Sequence, residues 1–515
     1  MIFMKKILKA LISKKVMGIL LLLLQAGIFY MGSYALKEYS TYIFGSTTIL
    51  GAVTIVSIIN RSTEPGFKIA WICLIAVVPV FGVSLYFYVR SDVTSGRIKT
   101  ALRNIHDTTS HLNENDDYEL HRLEKEGDFD FGTLVYLKNS AGYLPYANTG
   151  ATYFPLGDDA FPVMLDELKK ATRFIFIEFY IINEKSRMWN EIYRILKEKV
   201  HEGVEVRVMY DAMGSMSTVS SGFRQRLRKR GIQCVAFAPI KPFLSTYQNN
   251  RNHRKIMVID GKTAFSGGIN LSDEYINEVK RFGHWKDNSI MLKGDAVKSF
   301  TLMFLRMWNV IDGGNENYEK YTSRRDFEYS NYDDGHYAPF DDSPFRDERV
   351  GRNIYKDIIN TSRDYVYIMT PYLVLDETML DSLKCAAKRG VDVKILMPHI
   401  PDKRYAFALA RTYYPELISA GVEIYEYTPG FVHSKTTVSD DLRAVIGTIN
   451  YDYRSMYLNY ECGIYMYATS AVEDIKSDFK NTLKLSKQFT IHDYKHSSLF
   501  WRFFGKVMRV FAPLM

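Results

Sequence analysis

The sequence predicts an α/β protein made of two similar halves, with transmembrane helices at its amino terminus. Three observations support this prediction. The pattern H-x-K-x-x-x-x-D occurs twice, at 253–260 and at 433–440. The same order of helix-like and strand-like segments precedes both copies, and three apolar runs fill much of residues 1–90. We therefore expect two α/β sandwiches with mostly parallel sheets, related by a pseudo-twofold axis and preceded by a membrane anchor.

Residues 1–90 are predicted to form an anchor with two or three transmembrane helices. Val16–Leu36 is a 21-residue apolar run that follows five lysines, and a helix needs roughly 20 residues to cross a bilayer. Two more runs follow, at Tyr42–Ile59 and Ile69–Val89. A cleaved signal peptide has a shorter apolar core. Core helices of a soluble protein can also be apolar, but three runs in succession favour multi-pass anchoring.

The basic residues around these runs give conflicting indications of sidedness. The five lysines before the first run favour a cytoplasmic amino terminus. Three crossings would then place the remainder of the chain outside, whereas two crossings would keep it inside. Basic residues after the last run favour the cytoplasmic side, which is our expectation; they are Arg90, Arg97, Lys99 and Arg103.

The repeat defines the remaining segments. A linker is predicted at 91–140, a first half at 141–312, a second linker at 313–345 because of its polar composition, and a second half at 346–490. Each half is expected to run helix, strand, amphipathic helix ending at a glycine, and strand. The corresponding segments are 160–171, 174–180, 190–202 and 204–209 in the first half, and 353–361, 365–369, 377–389 and 391–396 in the second.

The two H-x-K-x-x-x-x-D motifs predict phosphoryl transfer. Residues two apart on a strand point to one face, so each motif places an imidazole beside an ammonium group. The lysines suit phosphate oxygens, and a histidine can attack phosphorus or transfer a proton near neutral pH. Two copies indicate two steps through a phosphohistidine, in which the second histidine acts as acid and then as base. The predicted catalytic residues are His253, Lys255, Asp260, His433, Lys435 and Asp440.

No metal and no cofactor are expected, because the two lysines can neutralise the charge that metal ions handle in many other phosphoryl-transfer enzymes. After each motif the chain reads strand, turn, strand and then a step of small residues, at 263–270 and 445–450. Asp260-Gly261 is predicted to form a hairpin turn. The glycines are expected to let backbone amides approach a phosphate, with turn geometry as the alternative, and Asn270 and Asn450 to bind substrate as neutral donors.

Several stretches resemble the phospholipase D superfamily and, within it, the bacterial cardiolipin synthases; they are 251–262, 267–275, 370–372, 425–435, 450–455 and 512–515. The similarity covers nearly the whole chain and is weakest in the first forty residues and near 312–345. The resemblance implies that Asp287 and Glu461 hold an imidazole in the useful tautomer at the substrate site, with ordinary surface acids as the alternative. Thr448 stands where many relatives carry serine, which keeps the hydroxyl.

The resemblance implies a cardiolipin synthase of the bacterial cell membrane. One phosphatidylglycerol would give its phosphatidyl group to a motif histidine, and a second would supply the attacking hydroxyl. The expected partners are phosphatidylglycerol and anionic membrane lipids. A formal charge of +8 suits either anionic membranes or nucleic acid. A nuclease has little need of apolar spans, so no nucleic acid is expected. The alternatives are a membrane-bound phospholipase D-type hydrolase, a phosphatidylserine synthase and an inactive membrane scaffold.

Residues 491–515 are predicted to form a carboxyl-terminal amphipathic helix. The stretch 499–511 combines large apolar side chains with Arg502, Lys506 and Arg509. This composition is typical of a helix that lies at a bilayer interface. A terminal helix that packs on the protein core with a solvated basic face is the alternative.

Overall fold

The structure is a computed structural model that describes residues 14–90, 93–112, 118–127, 130–239, 249–314, 316–322 and 335–514. It divides into two compact units. The described residues of 1–99, 240–250 and 506–515 form an anchor unit, and those of 100–239 and 251–505 form a catalytic unit that contains both predicted halves.

The anchor unit contains four apolar helices, α1 Lys14–Tyr30, α2 Ser40–Ile59, α3 Pro65–Val77 and α4 Pro79–Arg90. The helical stretch Lys37–Ile59 is long and apolar enough to cross a membrane, and Ile19–Ala35 and Pro65–Val77 are shorter apolar segments. The unit therefore has the features of a membrane anchor. Its first predicted run corresponds to α1 and a π-helical extension, Met31–Ala35.

The third predicted run, Ile69–Val89, is not one helix. Val78 has φ −136° and ψ 75° between α3 and α4. The following Pro79 causes this break, because proline lacks an amide proton and disfavours the helical conformation in the residue before it. The two helices fold back closely on each other, since a Cβ at Gly82 would lie 2.8 Å from the Ile75 Cα. The run therefore consists of two short helices instead of one long helix.

The first half of the catalytic unit has a seven-stranded sheet with the order β1-β8-β6-β5-β2-β3-β4. Its strands, and β7 beside it, are β1 Thr149–Phe154, β2 Phe174–Phe179, β3 Glu205–Asp211, β4 Gln233–Phe237, β5 Lys255–Ile259, β6 Thr263–Gly267, β7 His284–Lys286 and β8 Ser289–Gly294. The helices up to the second half are α5 Val93–Thr109, α6 Tyr118–Glu126, α7 Phe131–Ala141, α8 Gly157–Lys169, α9 Arg187–His201, α10 Phe223–Arg228, α11 Val297–Asp312 and α12 Glu319–Thr322.

The second half has an eight-stranded sheet with the order β19-β13-β12-β10-β15-β16-β18-β9. The strands of this half are β9 His336–Asp342, β10 Tyr365–Met369, β11 Leu373–Val374, β12 Asp392–Pro398, β13 Glu423–Tyr427, β14 Gly430–Val432, β15 Thr436–Ser439, β16 Arg443–Gly447, β17 Tyr451–Asp452, β18 Glu461–Tyr467 and β19 Ser486–Phe489. Its helices and the terminal ones are α13 Val350–Thr361, α14 Glu377–Lys388, α15 Arg404–Ala410, α16 Tyr414–Ser419, α17 Ser470–Lys484, α18 Ile491–His496 and α19 Leu499–Phe511.

The predicted helix and strand order is confirmed in both halves, and local chemistry explains it. Ser186 caps α9 and Asp376 caps α14, each by accepting a hydrogen bond from the backbone three residues later. Gly203 and Gly390 follow these helices with φ of 87° and 93°, which suits glycine at a helix end. The repeat therefore uses equivalent start and stop signals.

The sheets are mixed, not mostly parallel as expected. Strands β2, β3 and β4 pair in parallel, as do β10, β12 and β13, because helices connect them. Each motif strand instead returns directly as a hairpin, so β5 pairs antiparallel with β6 and β15 with β16. The predicted turn Asp260-Gly261 makes the first hairpin, with positive φ at both residues.

The two halves are joined through a continuous interior. Helix α11 is buried along most of its length and contacts β2, β5, β6 and β8 of the first sheet and β9 of the second. Strand β7 of the first half also pairs in parallel with β14 of the second. The segment 313–345, expected to be a connection, contains β9 at the edge of the second sheet, and 91–140 contains α5, α6 and α7.

Candidate active site

His253 and His433 precede the first strands of the two motif hairpins and meet the opposite halves of the protein. The His253 amide donates to the Tyr460 carbonyl at 2.9 Å, and the His433 amide donates to the Lys286 carbonyl at 2.7 Å. The backbone of each motif histidine is thus fixed by the other half. This exchange brings the two motifs to the junction between the halves.

The carboxylate that contacts each imidazole also comes from the opposite half of the protein. His253 Nδ1 lies 2.8 Å from Glu461 Oε2, and His433 Nδ1 lies 2.6 Å from Asp287 Oδ2. Both carboxylates are fully buried. Because each Nδ1–H donates to a carboxylate, each Nε2 keeps a lone pair that is available to a substrate.

Burial keeps both imidazoles neutral. It lowers the pKa of His253 to about 4 and that of His433 to about 3, although the facing carboxylates oppose the shift. Burial alone would raise the pKa of Asp287 and of Glu461. The facing imidazole and the neighbouring motif lysine outweigh it and hold both carboxyl pKa values below the ordinary range. A neutral histidine is the form that can act as a nucleophile.

Lys255 and Lys435 place two buried ammonium groups at the site. Each side chain is 1% exposed, and each Nζ donates to the carbonyl of its own motif histidine. Burial lowers the pKa of Lys255 to about 7, with the charge of Lys435 adding to the effect, and lowers the pKa of Lys435 to about 8. Two crowded, buried cations favour the binding of an anion between them.

Asp260 and Asp440 do not reach the imidazoles. Asp260 accepts hydrogen bonds from the backbone amides of Arg173 and Phe174 at 2.7 and 2.9 Å. Asp440 binds the amides of residues 363, 364 and 365 in the same manner. A strand rising about 3.3 Å per residue separates each aspartate from its histidine. Their predicted catalytic role therefore has no geometric support, and both instead hold the starts of β2 and β10.

Asn270 and Asn450 differ although they occupy equivalent positions. Asn270 Oδ1 accepts from the Ile181 amide at 3.0 Å, and its Nδ2 donates to the Tyr275 hydroxyl at 2.8 Å. Asn450 is 5% exposed, and its Oδ1 has no hydrogen-bond partner within the described part of the chain. The Asn270 amide is thus occupied by the protein, whereas that of Asn450 remains able to bind a ligand.

The glycines after the first motif make room for a carboxylate. A Cβ at Gly268 would lie 1.9 Å from Asp287 Oδ1. The Gly268 amide donates to the Asn288 carbonyl at 3.0 Å, and the Gly447 amide after the second motif donates to the Lys435 carbonyl at 3.3 Å, so both amides are occupied by the protein. The expected phosphate-binding role of these amides is wrong. The Thr448 hydroxyl instead donates to Glu461 Oε2 at 2.5 Å.

The site also contains residues that the sequence analysis did not assign to it, some beside the imidazoles and one beside a carboxylate. The Tyr180 ring meets His253 edge-on with centroids 5.0 Å apart, and Tyr275 meets His433 in the same way at 5.5 Å. Asn459 Nδ2 donates to Glu461 Oε1 at 3.1 Å. Tyr180 follows directly on β2, and residues at the carboxyl ends of parallel strands commonly line sites, which was the one available signal.

Comparison with known proteins identifies the family. A family model described as "Cardiolipin synthase, PLD-like domain" matches residues 164–308 and 355–483, one segment in each half. These two segments make up more than half of the chain. The chain belongs to the cardiolipin synthase family of phospholipase D-like proteins. A second model, "Phospholipase_D-nuclease N-terminal", matches residues 49–90 of the anchor. The resemblance found in the sequence is confirmed.

This cardiolipin synthase family member is also similar to individual proteins over most of its length. It is 32% identical over 504 residues to a cardiolipin synthase of Halalkalibacterium halodurans, covering 96% of this chain and 98% of the relative. It is 45% identical over 471 residues to an uncharacterized protein of Streptococcus mutans, covering 90% and 99% respectively. The crystal structure of phosphatidylserine synthase from Haemophilus influenzae matches with a TM-score of 0.55 at 14% identity, covering 74% of this chain and 97% of that one. This last match supports the fold.

Proposed function

We propose that this phosphatidyltransferase moves the phosphatidyl group of one phosphatidylglycerol to a second, which yields cardiolipin and glycerol. One observation carries the proposal. Two neutral imidazoles, His253 and His433, each have Nδ1 held by a buried carboxylate of the opposite half, beside two buried lysines. This arrangement provides a nucleophile, an acid–base partner and an anion site, and membership of the cardiolipin synthase family supports the lipid substrate.

In the first step, Nε2 of one imidazole attacks phosphorus, and the bond from phosphorus to the glycerol oxygen breaks. The other imidazole gives its proton to that oxygen, so glycerol leaves as a neutral alcohol. This imidazole becomes protonated when the anionic phosphodiester binds, because a nearby negative charge raises the pKa of a histidine. The two lysines neutralise the charge on the non-bridging oxygens.

In the second step, the imidazole that lost its proton accepts one from a hydroxyl of the second phosphatidylglycerol. That hydroxyl oxygen attacks phosphorus, and the bond between phosphorus and the first imidazole breaks. Both imidazoles return to their starting state. Water would give phosphatidic acid instead, so transfer depends on excluding it. The imidazoles suit this need, since His253 is 9% and His433 8% exposed.

The test is to incubate the purified, detergent-solubilised protein with labelled phosphatidylglycerol alone and to separate the products. Cardiolipin with an equimolar amount of glycerol is the expected result. Phosphatidic acid without cardiolipin would reassign the protein as a phospholipase D-type hydrolase. A chelator in the same assay should leave the rate nearly unchanged, and a loss that one divalent ion restores would contradict the metal-free scheme.

For the membrane, we propose two crossings followed by a re-entrant helical hairpin. The 13 residues of α3 and the 12 of α4 span about 20 and 18 Å at 1.5 Å per residue, less than the roughly 30 Å of a bilayer core. Gln25 Oε1 accepts from the Val80 and Phe81 amides at 3.0 and 3.2 Å. This contact satisfies the amides at the start of α4, as a helix break inside a bilayer requires.

The crossings are assigned to α1, with its π-helical extension, and to α2. The amino terminus and the end of the hairpin then lie on the same side. The basic residues agree with this arrangement: five lysines precede the apolar part of α1, Arg61 and Lys68 follow α2, and Arg90 ends α4. Only Lys37 and Glu38 are charged between α1 and α2. By the positive-inside rule, the basic side is cytoplasmic, which gives a cytoplasmic catalytic unit.

A further inference from the structure

Helix α19 carries an exposed apolar stripe near the carboxyl terminus. Leu499, Phe500, Phe503, Val507 and Val510 are 76%, 66%, 69%, 42% and 39% exposed. At 100° per residue they fall on one side of the helix. A terminal helix that packs on the core would bury this stripe, so the core-packing alternative does not describe α19.

The opposite side of α19 rests on the protein. A Cβ at Gly505 would lie 2.4 Å from the Ala408 carbonyl oxygen of α15, and Gly505 is buried. The backbone of α19 therefore contacts α15 closely through a position without a side chain. This contact fixes the helix with its apolar stripe turned outward.

The charge of this segment suits an anionic surface. Residues 494–515 contain no Asp or Glu, and their basic residues include Arg502, Lys506 and Arg509. On the helical wheel these three lie beside the stripe. Large apolar side chains next to a basic flank are the composition of a helix lying in the headgroup region of an anionic membrane.

The end of the helix lies beside the membrane anchor. Within the anchor unit, the 3₁₀ turn Ala512–Leu514 that follows α19 packs against α3, and Ala512 is 2% exposed. Helix α3 is one of the apolar segments of the anchor. The turn after α19 is thus attached to an element that we place in the bilayer.

We propose that α19 lies in the interface of the same bilayer, with its apolar stripe among the acyl chains and its basic flank at anionic headgroups. Such helices bury their apolar face by about 5–10 Å. The inference goes beyond the proposed function, because it concerns where the protein meets lipid and not the reaction.

The experiment uses the full chain in nanodiscs of phosphatidylcholine and phosphatidylglycerol. Exposed Cys73 and Cys385 are changed to serine, buried Cys234 and Cys462 are kept, and a bimane fluorophore is attached to F503C. The matched control is R502C, one residue earlier on the basic flank. Lipids brominated near the start of the acyl chain should quench most of the emission at position 503 and much less at 502, whereas aqueous iodide should quench mainly 502.

Two outcomes would overturn the proposal. Quenching of position 503 by iodide would place the stripe in water, and protection from both quenchers would mean that protein covers it. Quenching does not depend on turnover, so a failure of this proposal can be distinguished from a failure of the proposed function. In addition, Phe503→Glu should raise the apparent KM for phosphatidylglycerol in vesicles and leave turnover of a detergent-dispersed, short-chain substrate unchanged, which also shows that the variant folds.

Discussion

At the scale of residues, the feature that matters most is the exchange of partners between the two motifs. Glu461 of the second half holds His253 of the first, and Asp287 of the first half holds His433 of the second. Each pair joins a residue that the motif identifies to one that only the resemblance could suggest. The chemistry of each imidazole thus depends on a residue from the other copy of the repeat.

The first prediction concerns these pairs. His253→Ala and His433→Ala should each lower turnover by about 10²–10⁴-fold or more, and Glu461→Gln and Asp287→Asn by a comparable amount, because the imidazole loses its tautomer and orientation. Rates of cardiolipin formation by the purified variants provide the measurement. Glu178→Gln is the matched control. Burial raises the pKa of this carboxyl to about 7, and it bonds to Asn252 instead of an imidazole. Wild-type-like activity in either histidine variant would refute the mechanism.

The second prediction separates Asp260 and Asp440 from the catalytic groups. Asp260→Asn should destabilise the protein by roughly 1–3 kcal/mol, because one oxygen that accepts backbone amides is replaced by a donor. Asp440→Asn should behave similarly. Thermal unfolding and the turnover per folded molecule, measured together, distinguish the two roles. Should turnover fall as far as in the histidine variants while stability is unchanged, the catalytic role predicted from the sequence would be restored.

The third prediction is a decline of kcat/KM at alkaline pH. The pKa of Lys255 is lowered to about 7 and that of Lys435 to about 8, so both lose their charge as pH rises through these values. Stability should change in the opposite direction. An unfolded lysine keeps its proton up to about pH 10.4, so the unfolded state binds more protons above pH 7 and folding gains stability there. A pH profile of rate and of unfolding temperature is the check; parallel losses would mean that unfolding causes the decline.

At the scale of elements, the break between α3 and α4 is the feature on which the proposed topology of the anchor rests. Composition alone allows Ile69–Val89 to be a third span. The break at Val78 and Pro79, with the close contact of Gly82 with Ile75, divides the run into two helices. In the proposed topology this break leaves an even number of crossings. The basic residues at the two ends of the anchor would then lie on the same side of the membrane.

The fourth prediction tests this hairpin in intact cells with a membrane-impermeant maleimide. In a C73S/C385S background, K37C should react from outside and R61C only after permeabilisation. In the protein that carries no substitution, the exposed Cys385 of the catalytic unit should react with the maleimide only after the membrane is permeabilised. If the anchor crosses the membrane three times, Cys385 should react in intact cells and R61C should not, which would contradict the hairpin.

At the scale of the whole molecule, neither half contains a complete site. The sheets are joined through α11 and through the pairing of β7 with β14, and both histidine–carboxylate pairs cross this junction. An active arrangement thus exists only when both halves are folded against each other. The crossed contacts give a physical reason for the two copies of the motif to act together in the proposed mechanism.

The fifth prediction follows from this dependence. Fragments 1–322 and 335–515, expressed separately, should form no cardiolipin, because each lacks one partner of both pairs. Their coexpression should restore activity, since the buried surface at α11 and the β7–β14 pairing can re-form. Activity in one fragment alone would show that a half repeat suffices, and the crossed pairs would lose their assigned role.

The sequence by itself determined the repeat, the order of helices and strands and the apolar character of the anchor, and it singled out His253, Lys255, His433 and Lys435 as the candidate catalytic residues. These features follow from local periodicity and from motifs whose residues are neighbours in the chain. The sequence did not place Asp260, Asp440 and the glycine amides, because a motif does not state which residues share a face or a distance; in the structure both carboxylates accept from backbone amides. Sheet direction was likewise missed, since each motif strand returns as a hairpin.

Only the tertiary structure decided which carboxylate meets which histidine and that the stripe of α19 faces outward. It also showed that Asn270 is occupied, whereas Asn450 Oδ1 has no hydrogen-bond partner among the residues that the structure describes. Glu461 lies 208 residues from His253 along the chain, and Asp287 lies 146 residues from His433. Local propensities contain no information about contacts at such separations. Those contacts arise when the two halves bury their common interface, and the active site forms with them.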